Sequence, residues 1–357
     1  MDHELGICRF SKYQKKFFKS PHPSNPDQYV DFLMRTAKKE GIEGWVIYPN
    51  SDLVVFILSR YKETLEDYFR IPTPGWDVMR CVYVKRETYE IAAKNGIPIP
   101  KTYDKYCLSQ LLGENLQFPV VIKPSIRDHF YPWFKSKAFR VDNEDELIRI
   151  YNRVNRIIAS DEIIVQDFIP GGPKNLYSYC PFFKNGKVVA GLAANRARQH
   201  PMEFGHASTY VQLADIPELR RMAERFLNLI NFYGIAEVEF MRDPRDHQYK
   251  LLEVNPRIWG WHTLARAAGV DLPYFLYQDL LGEDIDVPSS LNHVKWVRLI
   301  TDIPTSFHEI IKGKLRIGDY IASMKGEMTE AVLSLKDPLP FIAEIALLPH
   351  LWTKKGF

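Results

Sequence analysis

Cysteine is scarce in this chain of 357 residues, and long apolar runs are missing. The four cysteines are scattered and form no CxxC pair: Cys8, Cys81, Cys107 and Cys180. This usage excludes a small disulfide scaffold and favours reduced thiols. The longest uninterrupted apolar run extends only from Leu53 to Leu58, and the first ten residues carry no signal-peptide pattern. We therefore expect a cytoplasmic protein without a membrane span.

A strong excess of charge of either sign is also missing. Lysine and arginine number 47 against 44 aspartates and glutamates, which gives a formal net charge of +3. Nucleic-acid-binding proteins usually concentrate basic residues on one face. The densest basic stretch here, between Arg9 and Lys19, is typical of a solvated amphipathic surface. No nucleic-acid partner is predicted.

Three common catalytic motifs are absent as well. Neither a Walker A motif nor a GxGxxG sequence occurs, which argues against P-loop and Rossmann dinucleotide sites. The histidines lack HExxH spacing, which argues against a zinc hydrolase. The remaining composition is that of an ordinary globular protein, and its length predicts two or three domains.

Hydrophobic patterning predicts alternating helices and strands. Residues 28–70 are typical of a helix, a strand from Trp45 to Tyr48 and a helix from Val54 to Phe69, with Ser51 or Asp52 as its N-cap. This order favours a parallel α/β unit. Further predicted strands are 120–123, 163–168, 182–194, 235–242 and 249–255. Further predicted helices are 86–95, 143–158, 216–233, 262–268 and 272–281. The apolar stretch from Pro338 to Trp352 predicts a tail docked on the body.

Two of these strands, Ile235 to Arg242 and Tyr249 to Asn255, flank a turn that contains Pro244 and predict an antiparallel hairpin. If the turn is centred on residue 246, Glu239 lies directly opposite Glu253, and Asn255 lies on the same face. Like charges opposite each other repel, so a cation between them is expected. Carboxylate and amide oxygens suit Mg²⁺. An exposed acidic hairpin would show the same pattern.

Two other segments have the character of a nucleotide pocket. Lys123 follows the apolar strand Val120 to Ile122, where it would place an ammonium group at the end of a buried strand. The sequence from Gln166 to Gly172 follows another apolar strand and ends in a glycine-rich turn. Such a strand could supply the apolar slot and backbone hydrogen bonds that an adenine ring needs.

Four features occur in an order that resembles the ATP-grasp superfamily. They are Lys85, the Val-Ile-Lys-Pro run at Lys123, the Gln-Asp-Phe-Ile-Pro-Gly-Gly sequence from Gln166, and the hairpin with its Glu-Val-Asn-Pro-Arg sequence from Glu253 to Arg257. The likeness extends over roughly residues 45–335 and is strongest to the carboxylate-amine ligase branch. It implies an α/β (α+β) ATP-grasp fold. It also predicts a shortened Rossmann-like domain over residues 1–82, a nucleotide-binding and catalytic region over 83–285 and a C-terminal extension over 286–357.

The resemblance also assigns residues. It implies ATP and Mg²⁺ as cofactors, with Mn²⁺ as an alternative, and Glu239, Glu253 and Asn255 as metal ligands. It implies that Arg257 lies near the acyl phosphate and that Arg196 or Arg198 reaches the γ-phosphate. The residues that it implies for ATP binding are Lys85, Lys123, Gln166, Asp167, Phe168, Ile169, Leu252 and, as a substitute for an acidic ribose contact, Asn175.

Two departures from the family pattern stand out. The stretch from Ser125 to Ala138 has no glycine where the family has a glycine-rich phosphate loop, so Lys135 and Lys137 are expected to contact phosphate instead. The chain also lacks the strand, helix and strand that normally precede the segment resembling Arg9 to Tyr13. A trimmed domain, or coverage by a second subunit or another copy, is expected there.

The function implied is ATP-dependent joining of a small-molecule carboxylate to an amine through an acyl phosphate. An ATP-grasp kinase, a non-catalytic nucleotide-binding module and a nucleic-acid-binding protein remain as alternatives. Six aromatic or imidazole side chains are candidates for a substrate pocket: Tyr131, Trp133, Phe134, Trp259, Trp261 and His262.

Overall fold

A computed structural model describes residues 1, 6–103, 107–202, 204, 205 and 207–348. The α-helices in this part of the chain are α1 (Pro26–Glu40), α2 (Asp52–Arg60), α3 (Lys62–Glu66), α4 (Trp76–Tyr83), α5 (Lys85–Lys94), α6 (Leu108–Leu112), α7 (Arg127–Phe134), α8 (Glu144–Asn155), α9 (Pro217–Leu229), α10 (Thr263–Ala267), α11 (Leu272–Leu281), α12 (Leu299–Ile311), α13 (Ile317–Ser323) and α14 (Leu339–Ala346). Short 3₁₀-helices span Ile7–Phe10, Ser160–Glu162 and Gly172–Asn175.

The strands form three sheets. They are β1 (Trp45–Val46), β2 (Phe69–Arg70), β3 (Thr102–Tyr103), β4 (Val120–Pro124), β5 (Phe139–Val141), β6 (Ile163–Asp167), β7 (Leu176–Lys184), β8 (Lys187–His200), β9 (Ala207–Ala214), β10 (Gly234–Ile235), β11 (Glu237–Arg242), β12 (Tyr249–Asn255), β13 (Lys295–Val297) and β14 (Met328–Glu330). The small sheet pairs β1 with β2, a four-stranded sheet has the order β3-β6-β4-β5, and an eight-stranded sheet runs β12-β11-β7-β8-β9-β13-β14 with β10 beside β7.

The N-terminal segment forms the parallel unit that its pattern predicts, because β1 and β2 pair in parallel. Ser51 is the N-cap of α2 and accepts a hydrogen bond from the Val54 amide. The predicted helix from Val54 to Phe69 is wrong at its end. The helix breaks at Tyr61, and Phe69 instead begins β2.

The predicted single strand 182–194 is also wrong, since it contains a hairpin turn. Asn185 and Gly186 have φ values of 51° and 73° and join β7 to β8. Positive φ at both central residues is the geometry that an Asn-Gly pair favours in a two-residue hairpin. This turn and the strand β9 are not among the predicted features. By contrast, α11 and β12 have the predicted bounds.

One hydrophobic core lies between the eight-stranded sheet and helices that include α4 and α9. Val238, Phe240 and Leu251 of the hairpin are buried there against Phe226 of α9 and Met79 of α4. The inner face of β11 and β12 is therefore apolar, and alternation turns the glutamates of these strands to the opposite face.

The C-terminal segment is built into the body. β13 pairs with β9 and β14 within the large sheet. Helix α14 contacts the 3₁₀-helix Ile7–Phe10 and buries Ala343 and Glu344, as the docked-tail prediction expected for this stretch; its residues 349–352 lie outside the described residues. In the described part of the chain, no helix combines the length and apolarity required to cross a membrane.

Candidate active site

The hairpin β11-β12 brings the predicted metal ligands together. Glu239 pairs with Glu253, and Glu237 pairs with Asn255. Near the tip the register differs by one residue, so that Phe240 pairs with Leu251. Leu252 is therefore the extra residue of a β-bulge. The bulge leaves Leu251 and Val254 in the core, while Leu252 and Glu253 both line a cleft.

The bulge also exposes a backbone acceptor. The hydroxyl of Tyr89, a buried residue of α5, donates to the Leu252 carbonyl and accepts a hydrogen bond from the Lys123 ammonium group. Lys123 lies on β4 of the four-stranded sheet, and Leu252 lies on β12 of the large sheet. Tyr89 thus connects Lys123 to the hairpin.

The charges around the hairpin are closely paired. Lys85 Nζ lies 2.9 Å from Glu253 Oε2, and Arg196 Nη1 lies 2.6 Å from Glu239 Oε2. Burial disfavours the Glu253 charge, but Lys85 and Lys137 outweigh it and hold the pKa of Glu253 well below its usual range. Burial likewise opposes the charge of Arg196, yet Glu239 and Glu237 raise its pKa.

Glu237 is a site residue that the sequence analysis missed, although alternation places it on the face of Glu239. It is buried and accepts hydrogen bonds from Ser178 Oγ (3.0 Å) and Trp261 Nε1 (3.0 Å). Burial, and then the charge of Glu239, raises the pKa of Glu237 to about 7.

The donor chemistry of this cluster fits Mg²⁺. Asn255 Nδ2 donates to Glu239 Oε1 at 2.9 Å and to Glu237 Oε2 at 3.2 Å, and rotation of the amide would present its oxygen to the same place. Among the described residues, no three His, Cys, Asp or Glu side chains have the arrangement of a complete metal site. Two carboxylates and one amide oxygen match a Mg²⁺ ion that completes its shell with water and phosphate.

Two clefts meet at this cluster. The larger, of about 950 Å³, lies between the four-stranded and eight-stranded sheets, and the smaller, of about 310 Å³, extends on the other side toward α2 and β13. Five residues line both clefts: Lys85, Lys137, Arg196, Glu239 and Glu253. We name the larger one the nucleotide cleft and the smaller one the second chamber.

Most of the residues expected to bind ATP line the nucleotide cleft. These are Lys85, Lys123, Gln166, Asp167, Phe168, Ile169 and Leu252. Gln166 is buried, with its Nε2 2.7 Å from Thr102 Oγ1, and Asp167 Oδ1 accepts from the Tyr103 hydroxyl at 2.7 Å. Asn175 is not among the lining residues. Its Nδ2 lies 3.5 Å from the Pro170 carbonyl, within its own loop, while Lys174 lines the cleft in its place.

The structure separates the two candidate arginines. Arg196 lines both clefts, whereas Arg198 lines neither and forms a buried pair with Asp302, with two N–O distances of 2.8 Å. The Arg198 guanidinium also lies over the Tyr210 ring, 3.9 Å from its centroid. Arg198 is therefore removed from the candidate site, because Asp302 and Tyr210 hold it elsewhere.

Helix α7 occupies the place of the expected phosphate loop. Lys137, just after it, lines both clefts, and burial lowers its pKa despite Glu253 and Glu239. Lys135 is exposed and lines neither cleft. Asp128 of α7 lines the second chamber and accepts a hydrogen bond from the Tyr83 hydroxyl at 3.2 Å. The glycine-free stretch thus forms a helix in place of a glycine-rich loop, and charged side chains of this helix face the site.

Arg257 lines the second chamber and is held by Asp52, with 2.6 Å between Nε and Oδ1. Asp52 also lies 3.5 Å from Arg127 Nη1. The sequence analysis considered Asp52 only as a helix cap, because nothing in local sequence connects residue 52 to residue 257. The N-terminal segment therefore contributes a residue that positions Arg257.

Of the six aromatic or imidazole candidates, Trp259 and Trp261 line the second chamber. The other four do not. Trp133 is 68% exposed, and Phe134 packs on Phe130 with ring centroids 4.4 Å apart. The C-terminal segment supplies further walls of the chamber through Trp296 and Arg298.

Protonation of Lys123 should be coupled to nucleotide binding, and this coupling can be measured. Burial, followed by the charge of Lys85, lowers the pKa of Lys123 to about 7. At pH 8 the amine is therefore mostly neutral, and nearby phosphate should restore its proton. We expect binding of Mg²⁺ with the β,γ-methylene analogue of ATP to take up about one more proton in the wild type than in Lys123→Met.

Calorimetry in two buffers of different ionisation enthalpy measures this uptake. Lys135→Met, at the exposed lysine, is the matched control and should keep the uptake of the wild type. An equal uptake in Lys123→Met and the wild type would show that Lys123 is not the group that titrates.

The fold and the clefts can be compared with known proteins. A family model described as "ATP-grasp in the biosynthetic pathway with Ter operon" matches residues 179–303. A D-aspartate ligase from Enterococcus faecium is 25% identical over 264 residues, which are 70% of this chain and 63% of the ligase. The chain thus spans less than two thirds of that relative's length.

Two solved structures share the fold. One is the biotin carboxylase domain of Hydrogenobacter thermophilus 2-oxoglutarate carboxylase, a dimer in complex with MgADP and bicarbonate. Its TM-score is 0.58 at 17% sequence identity, and the match covers 75% of this chain and 60% of the carboxylase chain. An L-amino acid ligase from Bacillus licheniformis has a TM-score of 0.54 at 18% identity, with coverages of 73% and 62%.

Proposed function

We propose that this chain, which has the ATP-grasp fold and resembles the carboxylate-amine ligase branch of that superfamily, joins a small-molecule carboxylate to an amine with Mg²⁺ and ATP. The observation that carries the proposal is the junction of the two clefts at Lys85, Lys137, Arg196, Glu239 and Glu253. A nucleotide in the large cleft and a carboxylate in the second chamber would meet there. None of the relatives named above is described with manganese, so Mn²⁺ is not proposed.

The nucleotide would lie between the two sheets. Phe168, Ile169, Lys85, Lys123 and Lys137 all line this cleft. Phe168 and Ile169 would form an apolar wall for the adenine ring, and the three lysines would face the phosphates. Three ammonium groups on one side concentrate positive charge where the triphosphate is bound. Glu239, Glu253 and Asn255 would hold Mg²⁺, which supplies charge neutralisation on the phosphates during transfer.

The second chamber would bind the carboxylate that is activated. Its oxygen attacks the γ-phosphorus, the bond to ADP breaks, and an acyl phosphate results. An amine then attacks the acyl carbon, inorganic phosphate leaves, and the amine loses a proton. Arg257, held in place by Asp52, presents its guanidinium group to oxygen charge that develops on the acyl centre. Preorganisation of this kind acts without reorienting solvent.

Oxygen labelling tests this chemistry. A screen of amino acids, dicarboxylates and amines should identify a pair for which ADP release needs both partners. With ¹⁸O in the carboxylate, one labelled oxygen should appear in the released phosphate. A stable phosphorylated product without an amine requirement would identify a kinase instead, and ATP binding without turnover in any mixture would identify a non-catalytic module.

Phe168 should contribute to nucleotide affinity. Its ring lines the cleft, with the Arg140 guanidinium 4.7 Å from its centroid on one side. We expect Phe168→Ala to raise the KM for ATP roughly tenfold through lost apolar contact, with kcat changed little. Trp133→Ala removes an exposed aromatic outside the clefts and should leave both constants unchanged. An unaltered KM in Phe168→Ala would place the adenine elsewhere.

A further inference from the structure

Helix α12 buries its polar face and exposes its apolar face. The residues that it buries are Thr301, Asp302, Thr305, Ser306 and Glu309. The residues that it exposes include Ile303, Phe307 and Ile311, whose exposed fractions are 53%, 64% and 68%. These three positions are spaced four residues apart and therefore form one line along the helix. A helix on the surface of a monomeric soluble protein normally shows the opposite arrangement.

Hydrogen bonds hold α12 in this orientation. Asp302 is fully buried and accepts from Arg198 and from Thr209 Oγ1, at 2.8 Å in both cases. Thr305 Oγ1 lies 2.9 Å from His200 Nδ1. Turning the apolar face of α12 inward would leave these buried polar groups without their partners, which costs free energy. These contacts therefore favour the orientation that leaves the apolar face exposed.

The apolar exposure continues after α12. On α13, Ile317 and Ile321 are 63% and 55% exposed, four residues apart. Helix α14 repeats the reversal, because it exposes Leu339, Ile342 and Ile345 while it buries Glu344. We name the exposed apolar side chains of α12 and α13 the apolar stripe. Large apolar exposure of this kind marks an interaction surface.

The charges beside the stripe indicate what covers it. Among the described residues 299–348, the exposed cationic side chains are Lys312, Lys314, Arg316, Lys325 and Lys336, and the exposed acidic side chains are Asp319 and Glu327. A symmetric dimer through this face would bring like charges together, which is unfavourable. Lysine is depleted in protein–protein interfaces, whereas apolar helices rimmed by lysine and arginine are typical of the membrane interface.

We propose that α12 and α13 dock the protein peripherally on an anionic lipid surface, with Ile303, Phe307 and Ile311 inserted between the headgroups. The basic side chains beside the stripe would lie against the lipid phosphates and carboxylates. The apolar side chains of the stripe line neither cleft, whereas Glu309 of α12 and Lys314 just after it line the nucleotide cleft. The inference does not require the reaction proposed above.

Vesicle flotation with the full chain tests the proposal. We expect binding to vesicles that contain about 30 mol % phosphatidylserine in phosphatidylcholine, weak binding to phosphatidylcholine alone, and weaker binding when NaCl rises from about 0.1 to about 0.5 M. Ile303→Asp with Phe307→Asp should lower the partition coefficient at least about tenfold. Lys312→Gln with Arg316→Gln should lower it roughly fivefold per residue.

Leu229→Asp is the matched control, because Leu229 is an exposed apolar residue on α9, and it should bind as the wild type does. Thermal unfolding checks that the double aspartate variant is folded. Equal vesicle binding by that folded variant would overturn the proposal. Failure of the wild type to bind anionic vesicles would also overturn it. Light scattering would then show whether a second copy covers the stripe, and pull-down with acidic proteins would show whether an acidic protein covers it.

Discussion

Replacing Glu253 with glutamine is expected to lower carboxylate-dependent ADP release by about 10³-fold. Glu253 lies opposite Glu239 in the hairpin and lines both clefts. The charges of Lys85 and Lys137 keep it ionised. Glutamine has nearly the same shape but no charge, so the variant would lose a metal ligand and leave the lysine ammonium groups unbalanced. The loss should appear mainly in kcat.

A matched control lies on the same hairpin. Asp246, at its tip, pairs with Lys250 outside both clefts, and Asp246→Asn should retain the activity of the wild type. Circular dichroism and thermal unfolding should show that both variants are folded. Normal turnover by Glu253→Gln would remove the hairpin from the reaction centre and would contradict the proposed site.

Arginine to lysine changes at positions 196 and 198 should have different consequences. Arg196 contacts Glu239 and Glu237, with its Nε 2.8 Å from Ser208 Oγ. Lysine keeps the charge but cannot reproduce these directed contacts. We expect Arg196→Lys to lower kcat/KM by roughly 10²-fold, measured on folded protein.

Arg198→Lys should instead affect stability. Its guanidinium makes two bonds to the fully buried Asp302 and one to Ser323 Oγ. Lysine keeps the charge but cannot make both bonds to Asp302, so we expect a loss of about 2 kcal/mol of unfolding free energy, which urea titration can measure. The KM for ATP should change little. The reverse pattern, with Arg198→Lys inactive but stable and Arg196→Lys fully active, would exchange their roles.

The pairing of Glu239 with Glu253 is confirmed, although the turn centre from which it is predicted is not the true one. A turn centred on residue 246 predicts the pair Glu239 and Glu253. Near the tip the true centre lies half a residue earlier, and the bulge at Leu252 restores the predicted pairing where the carboxylates lie. The shift of the turn centre and the extra residue of the bulge therefore cancel. Bulges depend on packing of both strands, so a single sequence does not reveal them.

Alternation could not separate Arg196 from Arg198, because two positions spaced by two residues are predicted on one face. The pairing of β8 with β9 shifts by one residue between Asn195 and Arg198, which breaks the alternation. Asp52 was missed for a different reason. Its partner Arg257 is 205 residues away, and only tertiary structure brings them together. The domain division into 1–82, 83–285 and 286–357 stays a prediction, although β13 and β14 of the last segment belong to the large sheet.

The hydroxyl of Tyr89 has a consequence for motion. It bonds at the same time to Lys123 on one sheet and to the bulge carbonyl on the other. A hinge movement that widens the nucleotide cleft by rotating the four-stranded sheet would separate these atoms. Each bond contributes about 1 kcal/mol, so Tyr89 sets part of the energy gap between a narrow and a wide cleft. Phenylalanine at this position would shift that equilibrium toward the wide state and speed nucleotide exchange, independently of any change in the chemical step.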